Sequence, residues 1–370
     1  MTNCFEITTD LAALDAALEA IPNAPAVFAL WPAQGDPYLS KTALLRRRLL
    51  RLLRERDHPS RLLNLRHTAH RLEYQLTGSA FESSLLLYEE ARRHFPETYL
   101  KLLKLRMPPY VKIVLSNPFP RSQVVTHLSR QPAEYFGPFR SRASAERFEA
   151  QFLDLFQMRR CQEDLAPSPQ HPGCIYGEMG MCLRPCQEVV GPGEYSGEVR
   201  RVVEFLRSGG NSLLESIAHS RDRLSEEMRF EEAARQHKRY EKVADVLKLR
   251  DELARSLDAF NGVAIERSVV PQAVELWFVR QGHLLPRCRF SFEVREGKTV
   301  SLDRQLRETI AALEVTRRAV RELQEYLALL ARWFYSSWRD GEWLSFESFD
   351  EVPYRKLVNA ISRVARVETA

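Results

Sequence analysis

The sequence predicts a multidomain α+β protein, and three observations lead there. A chain of 370 residues exceeds what one hydrophobic core organises, because cores stop growing at ~250–300 residues and longer chains divide. The apolar pattern also changes period: short alternating runs mixed with helical stripes up to about residue 115, helical stripes over 212–256, then alternation again over 262–294. Between these regions, Arg160–Pro192 carries four cysteines among prolines and glycines. That segment has too little apolar periodicity for a core of its own, a deficit that a bound metal centre can make good.

The elements follow in order. Ala26–Leu30 and Tyr38–Ser40 are β-like runs joined by the Pro/Gly turn of WPAQGDP, which suits a hairpin. A helix is expected over Lys41–Arg56, a strand over His70–Thr77, a helix over Ser79–Phe95 and a strand over 109–115. Arg142–Phe156 has an amphipathic helical stripe. From Ser212 to Ser256 the pattern is helical with a break at Met228–Phe230, which predicts an antiparallel helix pair. Gly262–Val294 alternates as a β-hairpin turning at Gly282, and one long helix is expected over Leu302–Trp333. The final stretch, Tyr335–Ala370, holds Trp338, Trp343, Phe346 and Phe349, and reads as a packed cap.

Composition sets further bounds. Hydrophobic residues at 44% and charged residues at 28% are ordinary for a soluble globular protein. No apolar run approaches the ~20 residues that span a bilayer, so no membrane partner is expected. The N-terminus MTNCFEITTDLAALDAAL has no basic segment followed by an apolar one and is not a signal peptide. The expected compartment is the cytoplasm, where thiols stay reduced. The net charge is only +5, yet Lys41–Glu73 holds ten Lys or Arg against three Asp or Glu. A local basic block of this kind suits nucleic-acid phosphate, although such a run also serves as a solvated helix face.

The cysteine spacing is Cys161-x12-Cys174-x7-Cys182-x3-Cys186. Four thiols so close together in a reducing compartment point to metal rather than disulfide. Thiolate sets select zinc or iron–sulfur clusters. The paired C-x2-C knuckles common in zinc ribbons are absent, which favours a cluster. Cys4 and Cys288 stand apart and read as ordinary thiols.

These residues carry a family resemblance. MRRC ending at Cys161 and PGCIYGEMGMCLRPC ending at Cys186, preceded by EYFGPFRSRASAERF, resemble the cysteine region of the bacterial UvrC excinuclease family. The resemblance implies an iron–sulfur cluster, of the 4Fe–4S type, on the four cysteines, with zinc as the alternative. It also implies a GIY-YIG nuclease domain at the N-terminus. PAVFALW stands where the family has P-G-V-Y, Tyr38-Leu39-Ser40-Lys41 where it has Y-V-G-K, and Leu45–Leu49 where it has L-R-K-R-V. The implied catalytic residues are Tyr38, Lys41 and Arg48, acting with a divalent cation (Mg²⁺ or Mn²⁺) when the nuclease is active. On the expected helix Lys41 and Arg48 are seven residues apart and share one face, while Arg47, Arg51 and Arg54 lie on another that suits DNA backbone. Four positions depart from the family pattern: Phe28 for the first tyrosine, Leu87 for the metal-binding glutamate, Ser40 for glycine and Tyr99 for asparagine. A leucine cannot ligate a hard cation, and Glu90 is the nearest substitute.

Met228–Val243 resembles the UVR motif L-x-F-E-x-A-A, with Phe230, Ala233 and Ala234 on one side of a helix. Small alanines permit close helix approach, and the resemblance implies docking to a UvrB-like partner. His237-Lys238 replaces the motif's Arg-Asp pair, and Gln236 replaces a hydrophobic residue. The likeness runs over roughly residues 15–295, with no match to the family's RNase H-like domain or helix–hairpin–helix motifs, so 5′ incision is not expected. The expected organisation is a GIY-YIG-like unit at 15–115, a linker helix and cysteine region at 116–200, a UVR-type hairpin at 201–256, and a β-hairpin plus helical region at 257–370. The function implied is DNA binding in nucleotide excision repair, with phosphodiester hydrolysis on the 3′ side of a lesion. The alternatives are a non-catalytic adaptor between DNA and a UVR partner, and a metal-cluster redox sensor on a nuclease scaffold.

Overall fold

A computed structural model describes residues 1, 3–8, 11–54, 63–291, 301–314 and 317–366. The described chain is mixed α and β, with three separate sheets.

The first sheet is antiparallel, ordered β1-β4-β2-β3, from strands β1 (Asn3–Glu6), β2 (Ala26–Pro32), β3 (Tyr38–Thr42) and β4 (Ala69–Leu76). Because strand side chains alternate, Phe28 and Leu30 face one way, toward α1 (Leu11–Ala20) and α2 (Leu45–Leu53). Val27, Ala29 and Leu39 face the other way, toward α3 (Ala80–His94) and the short α4 (Tyr99–Leu103). The sheet thus begins at Asn3, before the expected limit at residue 15.

The helix expected from Lys41 starts instead at Leu45. Lys41 and Thr42 remain in β3, paired with Val27 and Ala26. The Thr42 hydroxyl then accepts the Leu44 N–H at 3.2 Å and turns the chain into α2. The expected last residues of that helix, 55 and 56, lie outside the described residues.

The second sheet, ordered β6-β5-β7-β8, comprises β5 (Tyr110–Val114), β6 (Ser122–Val125), β7 (Ala133–Gly137) and β8 (Arg255–Ser256). Strand β5, expected in the first unit, therefore belongs here, its register set by Val111 opposite Phe136. Against it pack α5 (Arg142–Leu153), then α7 (Pro192–Arg207), α8 (Asn211–Glu226) and α9 (Phe230–Lys248); the cysteine segment contributes the one-turn α6 (Ile175–Glu178) and a 3-10 turn at Pro185–Gln187. Phe136, Phe139, Phe148, Phe152 and Phe205 form a contiguous aromatic core. Each such ring contributes roughly 1.5–3 kcal/mol by leaving water. Helix α7 crosses the expected boundary at residue 200, so the helix pair is continuous with the second core rather than a separate module. The pair itself turns at Met228, whose φ of 58° is left-handed.

The third sheet holds β9 (Asn261–Arg267), β10 (Ala273–Arg280), β11 (His283–Leu284) and β12 (Cys288–Ser291). The main hairpin closes before Ala273, and Gly282 (φ 77°) makes only the short return into β11. Two helices, α10 (Leu302–Ala311) and α11 (Val320–Phe334), replace the single long helix expected there. They lie on opposite faces of the sheet: α10 packs on Val263, Ile265 and Phe278, while α11 packs between the sheet and α3. A continuous helix could not reach both faces. The C-terminal stretch supplies β13 (Glu342–Phe346), which pairs with β9, and α12 (Tyr354–Arg366). Gly262 is required in β9, because a Cβ there would lie 2.3 Å from the Trp343 ring. Residues 292–294 of the expected strand and 367–370 of the expected cap lie outside the described residues.

Candidate functional site

The four cysteines gather where the loop after α5 returns against α7. All are free thiols; Cys182 and Cys186 are buried, Cys161 and Cys174 half-buried. Burial pushes the Cys182 thiol up, and the nearness of Cys161, Cys174 and Cys186 pushes it further. Burial raises Cys186 as well, with added repulsion from Cys161 and Cys174. The loop keeps this shape through left-handed backbone at Gly173, Gly180, Arg184 and Glu188. Ser168 N–H donates to the Cys186 carbonyl at 2.9 Å, and Arg184 N–H to the Cys182 sulfur at 3.4 Å.

One residue beside the thiols escaped sequence reasoning. Arg159 is 1% exposed. Its Nε donates to the Phe119 carbonyl at 2.8 Å, and its Nη1 reaches the Glu163 carbonyl at 2.8 Å and the Cys161 sulfur at 3.3 Å. Nη2 is buried with no hydrogen-bond partner, and no carboxylate pairs with the guanidinium among the described residues. A buried charge needs a partner, and Cys161 is the side chain that the guanidinium reaches. Tyr195, also fully buried, ties the segment down: its hydroxyl donates to the Pro120 carbonyl at 2.7 Å and accepts the Arg159 N–H at 3.1 Å. The only sequence signal for Arg159 was the basic pair preceding Cys161, and Tyr195 had none.

The thiols are the residues that could hold a metal here. Mononuclear zinc needs its sulfurs ~2.3 Å from one point. Among the described residues, no three His, Cys, Asp or Glu side chains converge in that way.

In the first unit, the three implied catalytic residues are not brought together. Arg48 Nη2 donates to the Tyr38 hydroxyl at 2.9 Å, a pair on the α2 side of the sheet. Lys41, in strand register rather than on the helix, points the opposite way, and its Nζ donates to the Ser84 hydroxyl at 2.7 Å on α3. It also lies 5.6 Å from the centroid of the Trp338 ring. Dehydration among these groups and the charge of Arg332 lower the Lys41 pKa, against a raising pull from Asp340. Phe28 is sealed in the core. Leu87 packs beside the apolar core of α3. Glu90 is buried and engaged by the Met1 amino group at 3.8 Å, Arg93 at 3.2 Å and His94 at 3.4 Å.

The polar surfaces are more favourably placed. Arg47, Arg51 and Arg54 are exposed along one side of α2. At the tip of the helix pair, Met228 is 78% and Phe230 64% exposed. Ala234 is exposed too, but Ala233 is buried between the two helices, so the three UVR-like positions do not form a single open face. The difference follows from the crossing of α8 and α9, which seals Ala233 beneath the neighbouring helix.

Fold and site together define a three-sheet α+β protein built around a thiol-lined loop, with an exposed helical hairpin and a basic helix. Residues 108–205 match the family described as UvrC/Cho excinuclease, middle domain. The chain is similar to the UvrABC system protein C of Moorella thermoacetica, 27% identical over 77% of this chain and 46% of that protein. It is also similar to the UvrABC system protein C of Lachnospira eligens, at 25% over 78% and 48%, and of Caldanaerobacter subterraneus, at 24% over 76% and 46%. The chain spans about half the length of the curated relatives it matches. No solved structure matches it. No helix among the described residues is long and apolar enough to cross a membrane.

Proposed function

We propose that the protein is a UvrC-family component of nucleotide excision repair, acting as an adaptor that binds DNA and a UvrB-like partner. The observation that carries this reading is the match of residues 108–205 to the middle domain, within a likeness covering 77% of the chain. The exposed arginines of α2 supply backbone contacts, and the open tip at Met228 and Phe230 supplies an apolar anchor for the partner hairpin. The N-terminal unit serves as a DNA-binding GIY-YIG scaffold. Leu87 offers no metal ligand, and Glu90 is already held by the Met1 amino group and Arg93, with the His94 ring beside it.

The test is incision of lesion-containing duplex with Mg²⁺ or Mn²⁺. Binding without cutting is expected, together with loss of the partner complex in Phe230→Ala. The Tyr38–Arg48 hydrogen bond favours a second reading, the family's metal-dependent 3′ incision. Lesion-dependent cutting abolished by Arg48→Ala would establish that reading and remove the adaptor.

The four cysteines are proposed to hold a 4Fe–4S cluster, with zinc as the alternative. Support comes from their mutual nearness and from the buried Arg159 guanidinium that reaches the Cys161 sulfur. Cysteines between a DNA-binding unit and a partner hairpin fix relative geometry rather than catalyse. Absorbance, iron and zinc assays on anaerobically purified protein decide it. A colourless, zinc-loaded sample without iron overturns the cluster.

A further inference from the structure

A second group of arginines lies away from those of α2, where the second unit meets the third sheet. A cavity of about 550 Å³ opens there, lined by Arg207, Arg250 and Arg255, the Ser208–Asn211 turn and the edge of β13. Arg207 also lines a neighbouring cavity of about 720 Å³ that runs along α7 past Arg200 and Arg201. Two carboxylates, Glu204 and Glu347, share these walls with the five arginines.

The arginines differ in what they already do. Arg201 pairs with Glu198 and Arg207 with Glu134. Arg200, Arg250 and Arg255 have no carboxylate partner among the described residues. Arg250 reaches only the Gly209 carbonyl at 3.4 Å, and Arg255 only the Glu252 carbonyl at 3.3 Å and the Phe260 ring. Arg255 Nε is buried with no hydrogen-bond partner at all. Desolvation lowers Arg250; desolvation and the charge of Arg250 bring Arg255 down to about 10, against a raising pull from Tyr335. Arg250 is exposed and Arg255 half-buried, and neither is ion-paired among the described residues, so both heads are available to an incoming anion.

The backbone accommodates this placement. Gly209 and Gly210 are left-handed, at φ 61° and 97°, and a Cβ on Gly209 would lie 2.7 Å from Arg250 Nη1.

We propose that this cavity and its extension along α7 form a phosphodiester-binding track for DNA, with Arg250 and Arg255 as its central contacts. A single small anion would occupy one cavity, whereas two cavities joined at Arg207 and lined by five arginines suit a repeating polyanion. The proposal deepens the DNA-binding reading above and rests on it.

The experiment uses the full chain and a fluorescently labelled 30-base-pair duplex, with anisotropy read across a series of KCl concentrations. Arg250→Gln and Arg255→Gln are compared with Arg250→Lys and Arg255→Lys, and circular dichroism confirms that each folds. Each Gln variant should weaken binding about 5–10-fold at low salt and reduce the slope of log affinity against log salt by about 0.9. The Lys variants should keep the slope, because the point charge remains. In parallel, inorganic pyrophosphate is titrated against thermal unfolding. Folded Gln variants with unchanged DNA affinity and slope overturn the proposal. If pyrophosphate protects the parent but not these variants while DNA binding is untouched, the cavity takes a free polyphosphate, which also overturns the DNA track. A parent that binds no DNA at all would refute the repair reading, and with it the track. Unchanged binding confined to the Gln variants refutes only the track.

Discussion

Tyr195→Phe tests how the thiol-lined loop is anchored. The Tyr195 ring is fully buried, edge-on to Phe119 at 5.8 Å between centroids, so removing one oxygen leaves the packing intact. What disappears is a two-sided clamp. The hydroxyl donates to the Pro120 carbonyl at 2.7 Å and accepts the Arg159 N–H at 3.1 Å. Both partners are backbone groups in a region closed to water, and an unsatisfied buried group costs about 1–3 kcal/mol. The two costs are not additive, because the loop segments that carry them can relax together. A loss of about 2–4 kcal/mol is expected. The assay is urea unfolding by circular dichroism under anaerobic conditions, on protein as purified and after exhaustive chelation, since a bound metal adds its own linkage. The loss should persist after chelation, because the clamp does not depend on metal. The variant should also retain less iron, as Cys161 is two residues from the freed Arg159 N–H. A change below about 0.5 kcal/mol with an unaltered denaturant slope would refute the clamp as an anchor.

Glu325 on α11 is 2% exposed and accepts hydrogen bonds from Tyr88 at 2.6 Å and Tyr99 at 2.7 Å, joining the third unit to the first. Glu325→Ala takes the acceptor from two buried hydroxyls and the ion-pair partner from Arg321, and should destabilise by about 2–4 kcal/mol, measured by urea unfolding; an unchanged midpoint would show that the two units are held by apolar packing alone. Glu266 is fully buried, and no well-formed hydrogen bond reaches either of its oxygens. Burial, with Asp340 and Glu82 nearby and Ser79 opposing, raises its pKa well above the ordinary carboxylate value. The folded state therefore holds this proton more tightly than the unfolded state, so the contribution is present at low pH and declines as pH rises above the unfolded value. Glu266→Gln should gain stability relative to the parent as pH rises from 5 to 8.5, read by thermal unfolding across that range; a pH-independent difference would refute the assignment.

Much of the first unit was legible because its signals are local. The short apolar run in AVFALWP and the WPAQGDP turn specify β2 and β3, and Ser79 before an amphipathic run caps α3, accepting the Glu82 N–H at 3.0 Å. The misplacement of Lys41 shows where local signals fail. Its neighbours have helix-forming side chains, yet pairing with Val27 holds it in the strand, and a strand reverses facing at every residue. That one register decision separates Lys41 from Arg48 and places it under Trp338, a residue nearly three hundred positions later. Likewise the apolar stripe over 302–333 gives no sign of the break between α10 and α11. The break arises from which sheet face each segment covers, and that depends on strands far away in sequence.

Residue type and short-range spacing were enough for most strands and helices, the four closely spaced thiols, the basic face of α2 and the break at Met228–Phe230 in the helix pair. The chain carries these signals wherever it folds. Only the tertiary structure decided which sheet owns β5, that Ala233 is sealed while Phe230 is open, and that Glu90 is already bound by cations. It alone sealed Arg159 against the Phe119 carbonyl and set Arg250 and Arg255 in one wall with the edge of β13. The physical reason is that burial and charge compensation belong to neighbours in space, and in this chain those neighbours come from segments tens to hundreds of residues apart.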